Sequence, residues 1–478
     1  MSGIFTVGEK KVRPGVYYRR ENNGGVETVG ATNGVAAVLF QADWGALNEE
    51  FDMDVTMQNS VADYYGTADT VAAIKEAFKG GATTVRAVRI GGNDGAAGSI
   101  ELKNAEESAV KAVTITAAHP GTRAFAVSVR TNLITDRRQV IIYDGTEIFE
   151  QYSFDAGEKE PENLVAAMAQ SKNFVAKAVS GVKGPLASVT QQALTGGKNP
   201  TVNTASYEKG TDILERYKWN CIVADTDDSA VQLLLQNFVV QSYQTGHLGF
   251  ASLAGKSTQA LTERMTQAAA FNDEKIVYTL NGWVGSDGTK YEGWRAAARI
   301  GGMIAAFEAN TSLTHNVITN AVSLTEPLTN GEIIKAETKG CLVLTRNDSD
   351  QVWIDSAINT LVTPDATMDE GWKKIRRTKT RFELMDRVDS TCEKLVGNVN
   401  NDTDGRQTIM ASAQKVINAM IAEKKLMSGS TVYEDSGNPA EGDSAWFKLA
   451  IDDIDSAEKI YLTYQFRFAP ERTEKKGE

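Results

Sequence analysis

The segment LGFASLAGKST contains Gly255-Lys256-Ser257, which has the residue types that close a phosphate-binding loop. In such a loop, backbone N–H groups and the lysine hold the phosphates of a nucleotide, and an earlier glycine lies five positions before the second one. Position 250 is Phe, and the nearby glycine is Gly249, one residue out of place. The spacing therefore favours an ordinary turn between a strand and a helix, and a nucleotide-dependent enzyme remains a remote alternative.

A second group of polar residues resembles the first half of an EF-hand calcium loop. Asn400, Asp402 and Asp404 alternate with other residues and are followed by Gly405. Calcium binding of this kind also needs a bidentate glutamate at the twelfth position, which is Ala411 here. Capping of a following helix by these short polar side chains explains the group more simply.

The remaining candidates for catalysis do not form a recognisable set. The histidines lie in three different segments: His119, His247 and His315. No G-x-S-x-G motif accompanies them. Three carboxylates follow a predicted strand, where we expect a solvated loop: Asp225, Asp227 and Asp228. We therefore expect no enzyme activity, no catalytic residue, no metal site and no cofactor.

Composition narrows the class of protein and its partners. The chain has 478 residues, with 50 Lys and Arg against 62 Asp and Glu, a net charge of −12. This charge argues against direct binding of nucleic acid or of anionic membranes. Three scattered cysteines and the lack of an apolar leader favour a reducing compartment, so we expect a cytoplasmic, soluble protein.

The elements that would position these groups change in type along the chain. Residues 34–45 are typical of a buried strand, and a helix, the Gly80-Gly81 pair and another strand follow. Short β-branched segments joined by Pro-Gly and Asp-Gly turns then predict an inserted antiparallel β-domain. Alternating helices and strands indicate a parallel or mixed sheet with helices on both faces. The basic run at 373–381 is typical of a solvated face.

These patterns predict six parts in an α/β multi-domain protein. The parts are an N-terminal arm (1–25), the first part of the α/β body (26–97), the inserted β-rich domain (98–195), a central α/β domain (196–348), a C-terminal α+β domain (349–457), and a C-terminal strand arm with its tail (458–478).

The segment EKIYLTYQFRF has the clearest strand pattern, although it lies ten residues from the end of the sequence. Five apolar side chains alternate with other residues: Ile460, Leu462, Tyr464, Phe466 and Phe468. A terminal strand needs a partner already in place. That partner can lie in the same chain or in another one.

Several segments, in order along nearly the whole chain, resemble the sheath protein of contractile phage tails and of tail-like bacteriocins. They are RPGVYYRR, ITAAHPGTRAFAVSV, ALTGGKNP, YEGWRAAARIGGMIAA, SLTHNVITNAVSLTEPLTNGEIIKAETKGCLVLT, KIRRTKTRFELMDRV and NNDTDGRQTIMASAQKVINAMIAE. The resemblance implies a subtilisin-like topology without a catalytic triad for the central domain, and extended arms at both ends.

The resemblance also implies a structural function in a virion tail. Sheath subunits stack as rings, generally hexameric, around a tail tube, and the sheath contracts to drive the tube through a bacterial envelope for genome ejection. The implied partners are other copies of the chain, the tube protein, and the baseplate and terminator proteins. A sheath from a bacteriocin or a type VI-like injection machine remains the alternative.

Under this resemblance we expect the two arms to pair with strands of neighbouring subunits. The arm residues are Val12, Val16, Tyr17 and Tyr18 at one end and Ile460, Leu462, Tyr464, Phe466 and Phe468 at the other. Residues 22–25 and 428–443 would be flexible linkers. A helix near 406–427 would pack its apolar stripe on its own domain and present basic residues to the tube: Arg406, Lys415, Lys424 and Lys425.

Overall fold

The structure, a computed structural model, describes residues 33–466 and, in the N-terminal region, Arg13 and the backbone of two short strands. These strands, β1 (Ser2–Ile4) and β2 (Val16–Tyr18), pair with each other in parallel. The predicted arm positions Val12 and Phe468 and the predicted linker at 22–25 lie outside the described residues.

The first part of the body alternates strands and helices, as its sequence predicts. It contains β3 (Val35–Phe40), β4 (Glu50–Asp54), α1 (Val61–Tyr65), α2 (Ala72–Lys79) and β5 (Thr84–Arg89). Short 3₁₀ helices precede α1 and α2 at Val55–Asn59 and Asp69–Val71.

A β-rich region follows, and its sheets are antiparallel. It contains β6 (Ser99–Lys103), β7 (Lys111–Ala117), β8 (Phe125–Thr131), β9 (Arg138–Asp144), β10 (Glu147–Phe154), α3 (Glu160–Met168), β11 (Phe174–Ala178) and β12 (Val189–Ala193). One sheet has the order β10-β9-β8-β12 and the other β11-β7-β6. Their alternating apolar residues, with Leu164 and Met168 of α3, form a separate core.

The chain then returns to the body. The elements there are α4 (Thr204–Leu214), β13 (Cys221–Ala224), α5 (Ser229–Gln244), β14 (Phe250–Ala254), α6 (Leu261–Phe271), β15 (Ile276–Thr279), β16 (Trp283–Gly285), β17 (Lys290–Tyr291), α7 (Trp294–Ala306), β18 (Ala321–Leu324), α8 (Asn330–Thr338) and β19 (Cys341–Leu342). β17, β16 and β18 form a small antiparallel sheet.

The central sheet combines strands from both parts of the body. Its order in the described chain is β19-β15-β14-β13-β3-β5-β4, and each neighbouring pair is parallel except β4 with β5. Ala36, Val38 and Phe40 face a core that includes α2 and α7. Ala37 and Leu39 face a second core that includes α4, α5, α6 and α8. The predicted mixed sheet with helices on both faces is therefore confirmed.

The C-terminal region adds a helical layer and two hairpins. Its elements are β20 (Leu344–Arg346), β21 (Val352–Ile354), α9 (Ile375–Cys392), α10 (Thr403–Ala422), β22 (Thr431–Glu434) and β23 (Phe447–Ala450), with 3₁₀ helices at Glu370–Lys373 and Glu393–Leu395. Ile375 and Phe382 of α9 enter the core beside α7. Asp402 caps α10 by accepting a hydrogen bond from the Gly405 N–H, which confirms the capping interpretation.

Two boundaries in this region differ from the sequence-based expectations. The helix expected near 406–427 ends at Ala422, because Glu423 leaves helical geometry and Lys424 has a left-handed φ of 58°. The linker expected at 428–443 is also wrong in part, since it contains β22, which pairs with β23.

Candidate subunit interface

The C-terminal segment 460–466 lies extended on the outside of the described chain. Ile460, Leu462, Tyr464 and Phe466 are 74%, 70%, 74% and 89% exposed. Within the described residues, no strand of the same chain pairs with this segment. The predicted strand is therefore absent from the single chain, because nothing in the described molecule supplies the adjacent backbone that a strand needs.

The chain just before this segment is held firmly against α9. Arg377 donates two hydrogen bonds to the carboxylate of Asp453, at 2.6 and 2.7 Å. The side chains of Arg377 and Asp453 are only 11% and 4% exposed. Lys374 Nζ lies 2.7 Å from Asp455 and 3.2 Å from Glu458. The bidentate geometry and the burial make this a more specific contact than an exposed ion pair.

A second element holds the other side of the same stretch. Glu458 accepts hydrogen bonds from the hydroxyls of Ser312 and Thr314, at 2.8 and 3.1 Å. Arg376 donates to Ser456 at 2.9 Å and to the carbonyls of Ala309 and Asn310. The fixed stretch therefore ends at Glu458, and the exposed segment begins immediately after it.

The hairpin β22–β23 presents an open edge in the same region. Val432 lies opposite Leu449, but its N–H donates to Oε1 of Gln414 on α10. In an antiparallel pair this identifies a non-hydrogen-bonded position, so the backbone groups of Leu449 and Phe447 point away from β22. In the described chain, no other strand adjoins that edge of β23. An edge of this kind can accept an additional strand.

The basic residues expected to face a tube do not all share one environment. Lys415 and Lys424 are exposed, and Arg406 is half-buried beside Glu434, 3.1 Å away. Lys425 is only 3% exposed, with Nζ 2.7 Å from Glu383 and 2.8 Å from Glu423. The expectation that Lys425 is exposed is wrong, because the chain turns inward after Lys424. The apolar stripe of α10 does pack on its own domain, through Ala413, Ile417 and Met420.

The basic run at 373–381 is not a solvated face. It forms the beginning of α9, and Arg376, Lys379 and Arg381 are nearly buried. Lys379 Nζ donates to the carbonyls of Ile304, Ala305 and Phe307 at the end of α7. A cation at this position satisfies carbonyls that a helix leaves unpaired. Arg381 stacks over the indole of Trp372, with Cζ 3.3 Å from the ring centroid.

The loop containing Gly255-Lys256-Ser257 joins β14 to α6, as the turn interpretation predicts. Helix α6 begins only at Leu261, beyond Lys256 and Ser257 in the sequence. In a phosphate-binding loop the helix begins next to the lysine, so this loop differs from one. Lys256 lines an open cavity of about 320 Å³ with Asp227 and Trp294. Burial raises the pKa of Asp227 to about 7.

The other polar candidates have separate structural contacts. Asp225 is buried and accepts from the Tyr207 hydroxyl at 2.6 Å and the Gln41 N–H at 2.7 Å, so the solvated-loop expectation is wrong for this residue. Asp228 caps α5. The histidines contact different aromatic residues: His119 contacts Trp44, His247 stacks on Trp219 and His315 stacks on Trp353.

Among the described residues, no group of three or more His, Cys, Asp and Glu side chains is placed to hold a metal ion.

A search of the described helices finds none with the length and apolar character to cross a bilayer.

The fold and the contacts of residues 453–458 define a mixed α/β multi-domain protein with an exposed, anchored C-terminal segment. Residues 201–360 match the family described as phage tail sheath protein central domain. The chain is 18% identical to the sheath tail protein of Desulfitobacterium hafniense, with a TM-score of 0.71 over 92% of this chain and 100% of that one. For the sheath tail protein Lin1278 of Listeria innocua, identity is 19% and the TM-score is 0.67, over 89% and 96%.

Two further comparisons cover nearly the whole chain. The contracted helical sheath of the anti-feeding prophage matches with a TM-score of 0.53 at 9% identity, over 95% of this chain and 99% of that one. The uncharacterized protein YqbK of Bacillus subtilis is 21% identical over 97% of this chain and 99% of its own length. The chain therefore has the fold of tail sheath proteins, and the resemblance predicted from its sequence is confirmed.

Proposed function

We propose that this chain is a structural sheath subunit that polymerises as stacked hexameric rings around a tail tube and contracts to drive the tube through a bacterial envelope. The observation that carries the proposal is the match of nearly the whole fold to a sheath tail protein, at a TM-score of 0.71. The proposed setting is a phage tail assembled in the host cytoplasm, with the tube, baseplate and terminator proteins as partners. The proposed role is not enzymatic.

The proposed joint between subunits is a shared β-sheet. Residues 460–466 of one copy add as a strand to the open edge of β23 in a second copy, and the N-terminal arm adds to a third. Each main-chain hydrogen bond contributes about 0.5–1.5 kcal/mol net. Each large apolar side chain of the segment adds about 1.5–3 kcal/mol where it is fully buried. These gains support a joint that persists while the subunit bodies repack.

The N-terminal half of this proposal requires a rearrangement. In the single chain, Val16–Tyr18 pairs with Ser2–Ile4. Joining a neighbour then exchanges a three-residue parallel pairing for a pairing in another subunit. Such a short ladder has few hydrogen bonds to lose, and the exchange must also release the contacts of β1 with α5 and of β2 with α9.

Deleting residues 459–478 tests the C-terminal half of the joint. We expect the truncated chain to fold, because the ion pairs of Arg377 and Lys374 end at Glu458. We also expect it to form no long cylinders in electron micrographs. A matched control replaces the hairpin-tip residues Leu133 and Ile134, which are similarly exposed, with serine. Long cylinders from the truncated chain would contradict the C-terminal joint.

Deleting residues 1–20 tests the other arm separately. We expect it to shorten or abolish cylinders while leaving the fold of residues 33–466 in place. If sheaths form as readily as before, the N-terminal joint is wrong, even where the C-terminal joint holds.

A further inference from the structure

We infer that Lys374, Arg376 and Arg377 act as positioning residues that set the direction in which the C-terminal segment leaves its own subunit. We call these residues, together with Asp453, Asp455, Ser456 and Glu458, the α9 clamp. The inference rests on the proposed function for its purpose, but the clamp itself is a property of the single chain. It places the pivot of the arm at Lys459 and Ile460.

The contacts change abruptly at this pivot. The backbone before it is tied to the chain near Lys425, through Ile454 N–H to Lys425 O and Met427 N–H to Asp452 O. The side chains from Asp453 to Glu458 then engage α9 and the loop that contains Ser312. Among the described residues, none of those at 460–466 makes a hydrogen bond or ion pair. A segment without such contacts therefore follows a fixed stretch.

The basic residues at the start of α9 and the acidic residues of segment 452–458 neutralise each other's charge. Helix α9 begins with basic residues and has no acidic residue in its first turn, although the N-terminus of a helix favours negative charge. The acidic stretch 452–458 supplies that charge from outside the helix, together with Asp369, which lies 3.2 Å from Arg377. Without the acidic stretch, several buried cations would gather at the positive end of the helix dipole.

The same contacts connect the clamp to the body. Arg376 reaches the carbonyls of Ala309 and Asn310, and Lys379, on the same helix, caps α7. Helix α7 packs directly on the central sheet. A rotation of the body therefore carries the base of the arm with it. If residues 460–466 form a strand on a second copy, the rotation of one subunit is transmitted to that copy. The connection between them is the short pivot at Lys459 and Ile460, not a long flexible linker.

Spin-label distance measurements on the dilute full-length chain test the clamp directly. One label is placed at Lys459→Cys and the other at Lys394→Cys beyond the end of α9, in a Cys392→Ser background. Cys221 and Cys341 are buried and stay unlabelled. We expect a narrow distance distribution in the parent and a clearly broader one in the Lys374→Ala/Arg377→Ala double variant. Lys373→Ala is the matched control, since its ion pair with Glu370 lies outside the clamp.

Protease sensitivity gives a second readout. We expect cleavage before Asp453 and Asp455 to be about tenfold to a hundredfold faster in the double variant, as the loss of charged hydrogen bonds favours local opening. Glu458→Gln removes one charge at the edge of the clamp, and it replaces the double variant in both measurements if the double variant does not fold. A broad parent distribution, or equal widths in parent and variants, would overturn the inference.

Assembly separates this inference from the proposed function. If the clamp variants form cylinders with scattered helical parameters while the control forms regular ones, both hold. The parent chain can also form no cylinders and still show the narrow spin-label distance distribution. In that case the proposed function is wrong, but the α9 clamp still fixes the direction in which the C-terminal segment leaves the body.

Discussion

Individual basic residues in this chain serve the fold in ways that their sequence neighbourhood does not reveal. Lys379 caps α7, and Arg377 binds Asp453, 76 residues away. A sequence window sees only a run of positive charge at 373–381, which is usually solvated. The partners come from distant elements, so only the folded chain shows that these cations are buried and paired.

The contrast between Lys424 and Lys425 gives a prediction at this scale. Removing the Lys425 charge with Lys425→Met leaves the buried Glu383 with Arg387 as its remaining cation. We expect a loss of about 3 kcal/mol of local stability, the lower end for breaking a buried ion pair. Hydrogen exchange in α10 should then become about a hundredfold faster.

Lys424→Ala is the control, because Lys424 is exposed and alanine adopts the same left-handed backbone with similar strain. Equal exchange rates in the two variants would contradict the assignment of Lys425 as a buried, paired cation.

At the scale of elements, the pairing of α2 with α7 depends on small residues at their contact. A side-chain carbon added at Gly302 would lie 2.1 Å from the Ala77 carbonyl oxygen. Helix α7 could not keep its present distance from α2 with any larger residue there. The segment YEGWRAAARIGGMIAA predicts a helix from its composition, but the reason for its paired glycines appears only in the fold. Gly302 lies against α2, and Gly301 lies against the central sheet, where an added carbon would be 2.5 Å from Val223.

Substitution at two helical glycines tests this packing. Gly302→Ala should destabilise the body by about 1–3 kcal/mol through overpacking. Gly331→Ala in α8 meets nothing within 4 Å and should stabilise by about 0.5–1 kcal/mol through helix propensity. Scanning calorimetry measures both. An unchanged or raised melting temperature for Gly302→Ala would show that the helices can separate freely.

Sequence patterns predicted the strands and helices of the body better than they predicted the pairing of the C-terminal segment. The continuous burial of β3 agrees with the buried strand that its sequence predicts, and the apolar stripe of α10 agrees with its helical periodicity. The alternation at 460–468 predicts a strand, yet the described part has no strand partner in the single chain. Periodicity reports the side chains a strand would present, but the partner backbone must come from elsewhere.

At the scale of the whole molecule, the chain joins a rigid body to an exposed connector. The central sheet, α7, α9 and the α9 clamp form one continuous set of contacts that ends at Glu458. Lys415 and Lys424 are exposed cations on and just after α10. We propose that they contact the tail tube. Exposed ion pairs are weak, which suits a sheath surface that must release the tube during contraction.

Charge reversal tests that surface. Lys415→Glu/Lys424→Glu should uncouple sheath from tube, so that free sheath still polymerises but tails lack an ordered extended sheath. Lys172→Glu/Lys177→Glu, two exposed sites in the β-rich region, is the control. Normal extended tails from the Lys415 and Lys424 variant, seen by negative-stain microscopy, would count against the contact.

The shared sheet is the central claim, and a cryo-electron-microscopy reconstruction of the assembled protein tests it most directly. The account predicts a hollow helical cylinder in which residues 460–466 of each subunit form a strand against the Phe447 and Leu449 edge of β23 in a different subunit. A cylinder in which this segment packs on its own chain, or extends without contacting another copy, would contradict it.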